Sequence, residues 1–226
     1  MFNKVISGTA LGIDGALINV EADLSEGLPM LTMIGYLSSS VKEAGERVRT
    51  ALKNSGYYIP PKRITINLSP ADIRKDGSGF DLPIAIAIVL SIGKIPEIDI
   101  SETIIIGELG LNGEVKPVNG ILPVVYYAFE NGINTCIVPK DNAMEAALVE
   151  GMKVIGVESL SDAIDYIQGN ISIETFDREK ISNDTDISPK QYDFSEIKGQ
   201  AMLKRGMEIA VSGFHNVLMM YLFLYL

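Results

Sequence analysis

Eight cations stand close together in this chain: Lys42, Arg47, Arg49, Lys53, Lys62, Arg63, Arg74 and Lys75, with only Glu43, Glu46 and Asp72 among them. Grouped positive charge suits phosphates, because a nucleic acid releases counterions to each lysine or arginine that neutralises it. Arg49 and Lys53 are four residues apart and share a helix face, while Arg74 and Lys75 fall in a loop that can approach a nucleic-acid backbone. These four are the candidate nucleic-acid contacts. The competing reading is a solvated face whose charges go into intrahelical pairs such as Glu43 with Arg47. Other reactive types are scarce. Cys136 is the sole thiol, in the apolar run Thr-Cys-Ile-Val, and reads as buried and inert. His215 is the sole histidine and lies far from it, and no clustered Asp/Glu motif offers a magnesium site, so no metal ligands are assigned.

The basic segment belongs to an acidic protein. Net charge is −10 over 226 residues, which argues against a general nucleic-acid coat protein. The sign is uneven: up to Lys94 there are 10 basic and 9 acidic residues, and beyond it 9 and 20. An anion-facing surface therefore belongs in the first half, and any DNA binding should be weak. Hydrophobic residues at 47% and charged residues at 21% suffice for one ordinary domain with an appendage. The N-terminus lacks the apolar core of a signal peptide and no apolar run approaches the ~20 residues of a membrane span, so the expected location is cytoplasmic, with no membrane role.

The elements that must position these residues follow from hydrophobic periodicity. Alternating and β-branched runs predict strands near Lys4–Ala10, Ala16–Asp23, Met30–Gly35 and Arg63–Leu68. Between the last two, Ser40 and Glu43 form a predicted capping box, Val41, Ala44, Val48, Ala51 and Leu52 share a face, and Gly56 supplies the stop. A helix at about Leu82–Ile92 is apolar on every side, with Pro83 in its first turn, and should be wholly buried. Thr103–Val118 predicts a β-hairpin turning at Asn112-Gly113. Helices then alternate with strands: helix Ile121–Glu130, strand Thr135–Val138, helix Asn142–Glu150, strand Lys153–Val157, helix Ser161–Gln168. The class is mixed α/β, antiparallel pairs first and βαβ-like units after. Residues 170–193 are acidic and poor in large apolar residues, which predicts a linker between a domain of residues 1–169 and a short segment, 194–226.

Two stretches carry a family resemblance. "GERVRTALKNSGYYIPPKRITINLSPADIRKDGSGFDLPIAIAI" and "GELGLNGEVKPVNGILPVVYYAFENGI" resemble the N-terminal domain of the bacterial YifB/ComM family of magnesium-chelatase-like AAA+ ATPases. The resemblance runs from about Met1 to Gln168 and resumes at "FSEIKGQ" and "HNVLMM", which are similar to the start of that family's ATPase module. It implies the fold of the Lon proteolytic domain, also called ribosomal-protein-five domain-2-like, and DNA processing, in competence and branch migration, by intact relatives assembled as AAA+ rings. Lon cleaves peptides with a serine nucleophile and a lysine base, which must meet within hydrogen-bond reach with the lysine desolvated. Laid on Lys75-Asp76-Gly77, the nucleophile position falls on Gly79; laid on Asn119-Gly120, the base position falls on Leu122. Neither residue can do that chemistry. A one-residue slip would make Ser78 the nucleophile with Lys116 as the nearest base, against the plainer reading of Ser78 as part of a glycine-rich turn. The expectation is a non-catalytic accessory domain, with a cryptic Ser78 peptidase as the alternative.

Within the ATPase-like segment, Ile197, Gly199 and Gln200 match the part that approaches adenine. The strand like Val217–Met220 should deliver a Gly-x-x-x-x-Gly-Lys-Ser/Thr loop, whose N–H groups, lysine and hydroxyl hold phosphates and Mg²⁺. Instead the chain reads Tyr221-Leu-Phe-Leu-Tyr-Leu226, an apolar tail exposed to aggregation, as if truncated. No cofactor is expected in this chain; ATP and Mg²⁺ are expected only for an intact relative, or for an ATPase completed in trans.

Overall fold

A computed structural model describes residues 2–93, 99–176 and 196–219. They belong to two units, Met1–Asp184 and Thr185–Leu226, which are described separately.

In the first unit the alternating runs become a hairpin of β1 (Phe2–Leu11) and β2 (Asp14–Ser25), turned at Gly12 in the left-handed region. β2 pairs antiparallel with β4 (Arg63–Ser69), and β3 (Met30–Ile34) runs parallel to β4, with α1 (Ser39–Asn54) as the crossover. On its other side β1 meets β5 (Thr103–Ile105), followed by β8 (Thr135–Pro139) and β9 (Lys153–Val157), all parallel. The sheet order is β3-β4-β2-β1-β5-β8-β9. The two-residue period assigns its faces. Ile105, Ile137 and Ile155 point into the core shared with α1, α2 (Asp81–Ile92) and α5 (Leu160–Ile167). Ile104, Cys136 and Val154 point into a second core under α3 (Ile121–Glu130) and α4 (Ala143–Ala146). Cys136 is fully buried there, which pushes its thiol up to about 12. Every residue of α2 from Asp81 to Ser91 is buried, as its all-round apolar pattern requires.

Four expectations meet differences. The Thr103–Val118 segment is no single hairpin: β5 joins the main sheet, and only β6 (Glu108–Leu109) and β7 (Val115–Lys116) pair with each other. Gly113 is left-handed at φ +85 but Asn112 is not, and the Gly110 N–H donates to Glu114 O at 2.8 Å, so the turn is longer than the two-residue type. Ser40 caps nothing. Ser38 is the N-cap of α1, its hydroxyl bonded to that of Ser40 at 2.8 Å, and the capping box of this unit is Ser159 with Asp162 at α5. The helix expected over Asn142–Glu150 is shorter, a 3-10 turn at Lys140–Asn142 followed by α4. Packing also continues past Gly169, where the expected domain ends: Ile173 lies against the first core, and the Phe176 N–H donates to Val154 O at 3.1 Å as its ring covers Gly156. Much of the expected linker lies outside the described residues.

In the second unit α6 (Ala201–Ser212) is the expected amphipathic helix. Val217–Met219 are not in a strand, and Met220 and the tail lie outside the described residues. No described helix is long and apolar enough to cross a membrane.

Candidate functional site

The glycine-rich turn is built by tertiary contacts at both ends. Leaving β4, the chain returns to the loop before α1, where Lys75 N–H donates to Tyr36 O at 2.9 Å and Ser38 N–H to Lys75 O at 3.0 Å. Gly77 then takes φ +83, a conformation open to glycine, and its N–H donates to Asp76 Oδ1 at 2.9 Å. That bond and the nearby Ser38 hydroxyl hold the Asp76 carboxyl below its ordinary range. Gly79 O accepts from Gly107 N–H at 2.9 Å, and Gly107 O accepts from Leu82 N–H at 2.9 Å, which stitches the head of α2 to the segment after β5.

This turn, the end of β1 from Gly8 to Ala10, Glu108 and the Asn119-Gly120 turn enclose a cleft of about 280 Å³. Gly79 and Ile121 line it, but Leu122, on which the base position falls, does not, so the two expected dyad positions do not share the cleft. A Cβ on Gly79 would meet Ile106 Cγ2 at 3.2 Å, so even a serine there would press on its neighbour. Leu122 lines a different groove with Ile13, Tyr126 and Leu148, and its N–H donates to Glu145 Oε1 at 3.0 Å. The Ser78 hydroxyl donates to Glu108 Oε2. Lys116 is the cross-strand partner of Glu108 but is exposed, whereas the base of such a dyad needs burial.

Between α1 and the head of α2 lies an ion pair that sequence reasoning missed. Asp81 is fully buried at the head of α2 and accepts from Arg47 Nε at 2.8 Å and Nη2 at 2.9 Å, and from Leu109 N–H at 3.2 Å. Burial pushes the Asp81 carboxyl up and Arg47 opposes that shift, while the bond to Asp81 pushes the Arg47 guanidinium up. Glu43, the intrahelical partner considered for Arg47, is only at 4.0 Å.

The candidate phosphate contacts divide. Arg49 and Lys53 are exposed on α1 and line one groove. Arg74 is exposed and pairs with Asp76 at 3.5 Å. Lys75 does not face solvent: it is fully buried, its amine donates to Pro70 O, and burial pushes its pKa down against a smaller opposing effect of Asp72. The loop was expected to offer Lys75 to a phosphate, but docking against Tyr36–Ser38 closes it over the side chain. In the second unit Ile197, Gly199 and Gln200 are exposed and precede α6, with Gly199 at φ +71 and Gln200 at φ +54. Among the described residues no group of three His, Cys, Asp or Glu could hold a metal ion.

A family profile described as "Subunit ChlI of Mg-chelatase" matches residues 20–142, and one described as "Magnesium chelatase, subunit ChlI" matches residues 193–221. The chain belongs to the magnesium-chelatase-like YifB/ComM family. It is 40% identical over 210 residues to the uncharacterized protein YifB of Escherichia coli, covering 93% of this chain and 40% of that protein. It is 34% identical over 215 residues to the competence protein ComM of Haemophilus influenzae, covering 95% and 42%. The chain thus spans about two fifths of the length of these relatives. Lon protease 2 of Bacillus subtilis is 33% identical over 135 residues, 58% of this chain and 24% of the protease. The seven-stranded mixed sheet is accordingly the Lon-like, ribosomal-protein-five domain-2-like fold.

Proposed function

We propose that this member of the YifB/ComM family is a non-catalytic accessory domain of a magnesium-chelatase-like ATPase that serves DNA processing. One observation carries the reading: Gly79, on which the nucleophile position falls, lines a cleft that Leu122, on which the base position falls, does not reach, and Ser78 is tied to a carboxylate. A carboxylate holding Ser78 as an acceptor, with Lys116 exposed and the buried Lys75 amine donating to Pro70 O, gives the hydroxyl no base of useful strength. Residues 193–226 contain no Gly-x-x-x-x-Gly-Lys-Ser/Thr run, so no ATP, Mg²⁺ or ring contact is placed on them. The DNA part is supported by likeness to a relative named competence protein ComM and by the cations Arg49, Lys53 and Arg74 that remain exposed.

A fluorophosphonate probe tests the first part. The purified chain should stay unlabelled under conditions that label a serine hydrolase. Covalent labelling that disappears in Ser78→Ala would establish a cryptic peptidase and overturn the accessory reading. For the second part, three exposed cations imply a slope of log K against log salt of about −2 on single-stranded DNA.

A further inference from the structure

We infer that the groove between α1 and the Tyr57–Lys62 loop is a binding site for a short stretch of single-stranded nucleic acid, with phosphates on Arg49 and Lys53 and a base stacked on Tyr58. This names the contact surface for the DNA part of the function proposed above and rests on that part.

The groove has a volume of about 280 Å³ and is lined by Arg49 and Lys53 from α1, by Tyr57, Tyr58 and Pro60 from the loop, and by Met30. The two cations stand one above the other, about 6 Å apart along the helix axis. Neither makes an ion pair or side-chain hydrogen bond among the described residues. That is unusual company in a chain of net charge −10, where carboxylates are plentiful. The third cation of the groove, Lys62, is already taken: its amine donates to Glu26 Oε1 at 2.6 Å. The unanswered positive charge of the groove is that of Arg49 and Lys53 on the α1 wall.

The aromatic wall decides what kind of anion fits. Tyr58 is 67% exposed, a large planar surface left in water next to two prolines that stiffen the loop carrying it. Stacking of a base on such a ring is tolerant of sequence, and together with a cationic track it is the usual recognition mode for single strands. A duplex hides its base faces, so it would use the cations and leave Tyr58 idle. An acidic peptide would likewise be held by charge alone.

The test uses the full chain and a fluorescent oligothymidylate in an anisotropy titration at several salt concentrations, with circular dichroism to confirm that each variant folds. Tyr58→Ala should weaken binding about tenfold or more without changing the salt slope, and Tyr58→Trp should restore it. Arg49→Gln with Lys53→Gln should reduce the slope magnitude by about 1.4. Four results overturn the proposal, and they are distinguishable. No binding by the parent at low salt removes the DNA reading altogether. Binding that depends on Arg74 but is indifferent to the groove variants keeps that reading and discards this site. Equal affinity for duplex and single strand, with no effect of Tyr58→Ala, leaves a charge-only surface. Competition by polyglutamate as strong as by unlabelled oligothymidylate, again with no effect of Tyr58→Ala, makes the groove a site for acidic peptide.

Discussion

Arg47 and Arg49 stand two residues apart on the same helix and have opposite fates. Arg47 turns toward α2 and is held by both oxygens of buried Asp81. Arg49 turns to the open groove with no anionic partner among the described residues. Two steps along an α-helix rotate a side chain by about 200°, so alternate positions cannot serve one surface. A run of basic residues is therefore several sites divided by helical phase. One arginine fastens α1 to the head of α2, and the other is free to meet a ligand.

The first way to break the comparison is to remove the fastened arginine. Arg47→Leu leaves the Asp81 carboxylate buried without its cation, and the expected cost is about 3–5 kcal/mol of unfolding free energy in urea. Replacing both partners, Arg47→Met with Asp81→Leu, should recover most of that loss, because the penalty comes from the stranded charge. A single-variant loss no larger than that of an exposed arginine would show that the pair is incidental.

A smaller effect is expected at the edge of the sheet. Phe176 extends β9 by one antiparallel bridge and its ring lies against Gly156. Phe176→Ala should cost about 1–3 kcal/mol by the same measurement. If stability is unchanged, the first unit ends nearer Gly169 as its composition suggested.

What was legible in the sequence had local causes. β1 to β4, α1 and α3 announce themselves through periods of 2 and 3.6, and α2 through a continuous apolar run with Pro83 in its first turn, none of which a distant contact can alter. β5 does not, because three residues pairing with strands remote in sequence carry no pattern of their own, and the Asn-Gly signal near them drew the hairpin too long. That Gly79 and Leu122 carry neither a hydroxyl nor an amine was legible, since they are read by identity. The partner of Ser78 was not, because Glu108 arrives from the other side of α2. Asp81 did leave a signal: a carboxylate heading a helix apolar on all sides has no water to face, and a buried charge needs a partner.

Lys75 is the position where the reading of the basic segment fails, and pH sharpens the point. Burial depresses its pKa in the folded state, so over the window between that value and the ordinary lysine value near ~10.4 the unfolded chain binds more protons. Stability then rises with pH through this window and levels off above it, with a slope contribution of at most about 1.4 kcal/mol per pH unit. The urea midpoint of the parent, measured across alkaline pH, should rise relative to that of Lys75→Met as pH rises. Parallel curves would mean that the amine reaches water.

The smallest expected effect belongs to the free side of the comparison. Arg49 contacts no anion among the described residues, so Arg49→Gln should change stability by no more than about 0.5 kcal/mol. Lys53 is equally exposed but sits in the last turn of α1, where its charge opposes the negative end of the helix dipole. Lys53→Gln should therefore cost a little more, about 0.3–1 kcal/mol at low ionic strength. Salt separates the two causes. Near 1 M salt the screening length falls to ~3 Å, and the extra cost at Lys53 should vanish while Arg49→Gln stays unchanged. A salt-sensitive loss at Arg49 as well would show that it answers an anion in the folded chain, and the contrast with Arg47 would become one of degree.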